Sequence, residues 1–349
     1  LPPVGKWGEQ GPGTSVGAVI EAALRAASVP PFHAMAMARH AFEREASGGQ
    51  VFHLEVGQPS TGLPRRARDA VEDALHHPLG YTNAAGNQRL RRKIAARYDG
   101  VDVARVLVVG GASAGFTLAF LTLFDHGDRV GVVEPGYPCY RNALLALGLQ
   151  PVAIPVGPET RWAPTPAHLD AAGHLDGLIL ASPSNPTGTV LDTSALASIA
   201  DACHEREITL IADEIYHGIL DGPPAPRILD HTQDAFVVNS FSKYFSMTGW
   251  RIGWIVVPDS IVEVVERLQQ NLFICAPHVS QVAALGALDA SEELDRHVAR
   301  YGANRHLILR GLAAAGIDDI APAAVSYTHQ TLPTIRRGCS SGGWPAAGE

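Results

Sequence analysis

Lysine, cysteine and long apolar runs are all scarce in this chain of 349 residues. Its cysteines, Cys139, Cys203, Cys275 and Cys339, stand far apart with no CxxC spacing. That argues against a disulfide framework or a zinc site and fits a reducing cytoplasm. No apolar stretch approaches the ~20 residues a bilayer-spanning helix needs, so no membrane association is expected. Basic residues are outnumbered, 27 Lys and Arg against 35 Asp and Glu, for a net charge of −8. A nucleic-acid footprint would carry the opposite sign. A secretory signal is also missing, because residues 1–20 are rich in Gly and Pro without a long apolar core.

What is present is an ordinary globular composition, 46% hydrophobic with mean hydropathy +0.06. The length suffices for a large core split into a major and a minor domain. Alanine-rich stretches from Val19 to Ala27 and from Phe32 to Ala46 carry helical spacing, with Pro30 and Pro31 between them. The segment Val51–Val56 alternates like a strand and runs into Gly57-Gln58-Pro59-Ser60-Thr61-Gly62, and helices are expected around 65–76 and 87–98. Apolar, β-branched runs then recur at Val106–Val109, Val130–Val133, Val152–Ile154, Leu178–Leu180, Ile208–Ile211, Phe236–Val238 and Ile252–Val257, separated by helical patterns. Several are apolar on both faces, as strands covered by helices on both sides must be. The expected fold is α/β with a mainly parallel central sheet. Helical patterns continue from about 259 to 313.

In such sheets ligands gather at the carboxyl ends of strands, and the polar residues of interest follow these runs. Gly110-Gly111-Ala112-Ser113-Ala114-Gly115 opens a helix and could admit a phosphate to backbone N–H groups; a glycine turn with a Ser N-cap reads equally well. It has neither the lysine of a nucleotide phosphate loop nor the G-x-G-x-x-G dinucleotide pattern. In Glu134-Pro135-Gly136-Tyr137-Pro138 the tyrosine could stack on a flat cofactor or simply pack on the core. Asn185, in Ser182-Pro183-Ser184-Asn185-Pro186-Thr187-Gly188, is a donor on a rigid turn or turn chemistry alone. Asp213, in Asp213-Glu214-Ile215-Tyr216, ends a buried run where a carboxylate is costly unless paired; a pyridinium nitrogen would suit it, as would capping the next turn. Lys243 is one of three lysines and lies in Ser240-Phe241-Ser242-Lys243, eight residues before Arg251. Lysine, unlike arginine, can lose its proton and form an imine with an aldehyde, while the serines and the guanidinium could hold a phosphate. A surface lysine beside a serine-rich turn is the plain alternative.

Taken in order, Ser184–Gly188, Asp213–Tyr216 and Ser240–Arg251 strongly resemble the class I/II aminotransferase family, pyridoxal-phosphate enzymes of fold type I, over roughly residues 30–320. The resemblance implies that Lys243 carries the cofactor as a Schiff base and shuttles the substrate proton. It implies that Asp213 keeps the pyridine nitrogen protonated, that Asn185 and Tyr216 bond the phenolic oxygen, and that Tyr137 stacks on the ring. Ala112 (through its N–H), Ser113, Ser240 and Arg251 would bind the phosphate, and Gly57 and Asn185 would face the substrate. Gly80-Tyr81-Thr82-Asn83-Ala84-Ala85-Gly86 matches the family segment whose tyrosine reaches the neighbouring subunit's phosphate. A homodimer with Tyr81 acting in trans is therefore expected. The implied reaction moves an amino group from an amino acid to a 2-oxo acid.

The implied domain plan is a leader at 1–20, N-terminal helices with a small-domain segment at 21–60, a large cofactor domain at 61–290, and the start of a small domain at 291–322. The family pattern continues past Pro322 with an aromatic strand and a late arginine that clamps the substrate carboxylate, and no match to these is recognised here. Arg336 and Arg337 stand in another context, and Ser326–Thr334 resembles translated sequencing-adapter DNA. Residues 323–349 are accordingly expected to be a divergent, non-native tail, and turnover by the 349-residue chain to be poor. Two other readings share the same residues: a β-lyase or cyclopropane-forming synthase on the same fold, and a non-catalytic product. A regulator of this fold would carry a basic helix-turn-helix segment ahead of residue 30, and none is recognised.

Overall fold

The computed structural model describes residues 21–53 and 56–317. Seven strands form one sheet: β1 (Val106–Val109), β2 (Arg129–Glu134), β3 (Gln150–Pro155), β4 (Gly177–Ala181), β5 (Thr209–Asp213), β6 (Phe236–Ser240) and β7 (Gly253–Val256), in the spatial order β1-β7-β6-β5-β4-β2-β3. The pairs β2–β3, β2–β4, β4–β5 and β5–β6 are parallel, whereas β7 runs antiparallel to both β6 and β1. Each apolar run of the sequence thus yields a strand, with ends shifted by one or two residues.

Helices flank the strands: α1 (Leu24–Ala27), α2 (His33–Ala46), α3 (Arg65–Ala74), α4 (Gln88–Ala95), α5 (Ala112–Leu123), α6 (Pro138–Leu147), α7 (Pro166–Ala172), α8 (Thr193–Glu205), α9 (Val262–Leu272), α10 (His278–Ala287) and α11 (Ser291–Ala314). The two-residue alternation of a strand sorts its side chains into two cores. Val106, Val108, Leu178, Leu180, Leu210 and Val237 face one core with α4, α8 and α10. Leu107, Val109, Val130, Ile179, Ile211 and Val238 face the other with α5, α6 and α9. Each such side chain contributes roughly 1.5–3 kcal/mol by leaving water, so the sheet is a rigid platform.

Two glycines set the closeness of packing. A Cβ on Gly115 of α5 would sit 2.9 Å from Ile255 on the sheet, and one on Gly286 of α10 would sit 2.6 Å from the Ala67 backbone of α3. The outer edge of β1 is covered by a loop, with Val108 N–H donating to the Ala85 carbonyl at 2.9 Å.

Residues 51–53 form no strand, and 54–55 lie outside the described residues, as do the leader and the expected tail. Among the described residues the seven strands of the sheet all come from residues 106–256. Val19–Ala27 yields only the short helix α1 among the described residues.

Candidate active site

The carboxyl ends of β1, β2, β4, β5 and β6 converge on a cavity of about 160 Å³. Its wall contains Ala112, Ser113, Tyr137, Asn185, Asp213, Tyr216, Lys243 and Arg251, eight residues singled out from widely separated motifs. Larger clefts exist elsewhere, one of about 640 Å³ beside Cys203 and Asp234, but this one joins a buried carboxylate to a desolvated amine.

Asp213 ends β5 and is only 4% exposed. Its Oδ1 accepts the Ile215 N–H at 2.9 Å and its Oδ2 accepts the Tyr140 hydroxyl. Burial pushes its pKa up to about 6, against the lowering effect of these two donors and of His217. The carboxylate therefore caps its own turn and also faces the pocket.

Lys243 follows β6. Its Nζ donates to the Gly57 carbonyl at 2.6 Å and lies 5.7 Å from the centre of the Tyr216 ring. Burial lowers its pKa to about 8; the Asp213 charge opposes that shift and the Arg251 charge reinforces it. Roughly one amine in ten is then neutral at pH 7, far more than for an exposed lysine. Asn185 Nδ2 donates to the Tyr216 hydroxyl at 3.3 Å, so these two groups form one polar corner. His217 Nε2 lies 2.9 Å from the Ser182 carbonyl, tying the turn after β5 to the turn carrying Asn185.

The opposite end is built for an anion. Helix α5 begins at Ala112 with Gly111 as N-cap, so Ser113 lies within its first turn and is not the cap. Gly111 has φ +86, and a Cβ there would come within 2.8 Å of the Arg251 guanidinium. Only glycine lets the helix N-terminus and Arg251 close on the same space. Arg251 itself adopts a left-handed backbone and donates to the Thr248 carbonyl at 3.0 Å.

Three residues sit apart from this wall. Ser240 is buried behind it, with its Oγ 2.9 Å from Ser242 Oγ and 3.1 Å from the Ile252 carbonyl. Ser242, the second serine of the motif, lines the cavity instead. Gly57 meets the site through its carbonyl. Tyr81 is 83% exposed and is not part of this chain's cavity wall. The sequence reading also missed Tyr140, which is 6% exposed and packed between Phe116 and Tyr137 at 5.1 and 5.4 Å. The available signal was spacing: Tyr137 and Tyr140 are three apart across a Pro-started first turn, so both point to one side.

These groups fit a planar phosphorylated aldehyde. A low-pKa amine can take the aldehyde, a buried carboxylate can face a ring nitrogen, and the glycine-permitted cradle at Gly111 and Arg251 can hold the phosphate. Fold and pocket thus define an aldehyde-cofactor enzyme of the α/β class.

The family model for aminotransferase class I and II matches residues 49–333, which extends beyond Pro322. The chain is 47% identical over 311 residues to the valine–pyruvate aminotransferase of Mycobacterium tuberculosis, covering 86% of this chain and 80% of that protein. A crystal structure of an aminotransferase from Mycobacterium tuberculosis superposes with TM-score 0.84 at 45% identity, covering 88% and 82% of the two chains. Aspartate aminotransferase from Thermus thermophilus with maleate gives TM-score 0.83 at 26% identity, covering 88% and 84%. The chain belongs to the class I and II aminotransferases. It is a pyridoxal-phosphate-dependent aminotransferase of fold type I. Among the described residues no helix is long and apolar enough to cross a membrane.

Proposed function

We propose that this aminotransferase passes an amino group from a small aliphatic amino acid to a short 2-oxo acid, with valine and pyruvate as the leading pair. The observation that carries the catalytic part is the meeting of the Lys243 amine and the Asp213 carboxylate in one pocket. The substrate pair rests on the relative that acts on valine and pyruvate. Bound there, pyridoxal phosphate supplies the aldehyde and the electron-accepting ring that amino transfer requires.

The chain's own groups do the rest. Lys243 would hold the cofactor's aldehyde through its neutral Nζ and would carry the proton from the substrate's α-carbon to the cofactor. Asp213 would keep a proton on the ring nitrogen, and the Tyr140 hydroxyl donates to Asp213. Asn185 and Tyr216, paired at 3.3 Å, would steady the phenolic oxygen, and Tyr137 would cover the ring face. The Ala112 N–H, Ser113 and Arg251 would grip the phosphate, with Ser240 acting through Ser242. Gly57 and Asn185 border the space for the substrate. Residues 61–290 would form the cofactor unit, and α11 would begin the smaller one.

The working unit in this reading is a cytoplasmic homodimer. Exposed Leu75, Tyr81, Phe273 and Ile274 belong to segments that adjoin through the contact of His278 with Gly80, and an apolar surface of this kind suits a two-fold interface. Tyr81 would then serve the partner's phosphate. The test is an amino-donor screen with pyruvate as acceptor, following alanine formation. Valine should outpace aspartate and the aromatic amino acids. Preference for aspartate would overturn the substrate assignment, and amine release without consumption of the oxo acid would point to a lyase.

A further inference from the structure

We propose that Gln269 and Gln281 are positioning residues that clamp the segment 80–87 in the posture from which Tyr81 serves the second subunit; this rests on the trans role proposed above for Tyr81. Both glutamines are essentially sealed from solvent, at 1% and 0% exposure. Gln269, on α9, donates from Nε2 to the Ala84 carbonyl and, at 2.7 Å, to the Val108 carbonyl of β1. Its amide thus bridges the Ala84 carbonyl of the loop and the Val108 carbonyl of the edge strand. Gln281, on α10, accepts the Asn87 N–H at 2.7 Å and donates to Thr82 Oγ1 at 2.9 Å and to the Ala276 carbonyl at 2.8 Å.

These partners fix the orientation of both amides. The Gln269 nitrogen sits between two acceptors, and the Gln281 oxygen faces an N–H while its nitrogen faces a carbonyl. The Gln269 Oε1 has no partner among the described residues, a cost that an apolar residue of similar size would not incur. The remaining anchors complete the pattern. The Gly80 carbonyl meets His278 Nδ1 at 2.9 Å, the Ala85 carbonyl accepts from Val108, and Gly86 at φ +101 lies so close that a Cβ would be 2.6 Å from Val108. The loop is tied down on both sides of Tyr81, whose own side chain is left outside. A phenol held ready on a rigid loop loses little freedom on meeting its target.

The test is a double-mutant cycle on pyridoxal-phosphate affinity, using the full-length dimer with Gln281→Met, Tyr81→Phe and both together. Gln269→Met serves as a second probe, and far-UV circular dichroism checks that each variant folds. If the clamp acts through Tyr81, Tyr81→Phe and Gln281→Met should each weaken affinity about tenfold, and the double variant should be no worse than Tyr81→Phe alone. Hydrogen exchange in apoprotein should quicken in the peptide covering 80–87 for both glutamine variants. Additive losses, or unchanged exchange in that peptide, would overturn the clamp. Unchanged affinity in Tyr81→Phe would instead overturn the trans role on which the clamp depends.

Discussion

Desolvation, more than any single neighbour, sets the reactivity of Lys243. Burial depresses its pKa to about 8, while the nearby Asp213 charge pulls it back up. The neutral amine is the nucleophile, so capture of pyridoxal phosphate by apoprotein should speed up as pH rises through about 8 and level off above it. Stopped-flow absorbance at fixed cofactor concentration checks this; a rate that climbs only near the usual lysine pKa would contradict the buried placement. Lys243, Asp213 and Asn185 stood out in the sequence because each is a polar residue at or just after the end of an apolar strand, and Arg251 because it follows Lys243 by eight residues. Tyr140 was not, since an aromatic residue early in a helix normally signals core packing. Its hydroxyl contact with Asp213 appears only when α6 is laid beside β5. Ser240, given a phosphate role by the family resemblance, has its hydroxyl bonded to the Ile252 carbonyl at 3.1 Å.

At the scale of elements, the phosphate cradle depends on how α5 starts. Gly110 and Gly111 precede it, yet only Gly111 has a positive φ and only its Cβ would collide with Arg251. Gly111→Ala should destabilise the apoprotein by ~1–3 kcal/mol, the usual range for a forced left-handed backbone, and should also weaken cofactor binding by displacing Arg251. Gly110→Ala should do little, because its Cβ would meet nothing nearer than Ala114 at 3.8 Å. Denaturant melts and cofactor titrations of the two variants check this, and equal effects would contradict it. The strands were legible because runs buried on both faces leave a continuous apolar signature. Residues 51–53 of the alternating segment Val51–Val56 are not in a strand, and 54–55 lie outside the described residues.

At the scale of the whole molecule, strand order and the reversed β7 were not legible, because spacing along a chain does not say which edges meet. A second subunit could be read only through the resemblance around Tyr81. The trans arrangement makes a sharp prediction. Dimers of Lys243→Ala lack the amine, and dimers of Tyr81→Phe lack the bridging phenol. Hybrids formed by unfolding and refolding an equal mixture should contain one intact site each, so about a quarter of all sites should regain parental cofactor affinity. If Tyr81 served its own subunit, no hybrid site would be intact and titration of the mixture would show none.

The central claim, that the Lys243 pocket is where pyridoxal phosphate is held, is tested most directly by covalent trapping. Protein loaded with the cofactor is reduced with borohydride, digested and mapped by mass spectrometry. The chain has only Lys6, Lys93 and Lys243 to choose from. The account predicts a pyridoxyl group on the peptide containing Lys243 alone, whereas a label on Lys93 or Lys6, or stoichiometric cofactor binding with no label on Lys243, would contradict it.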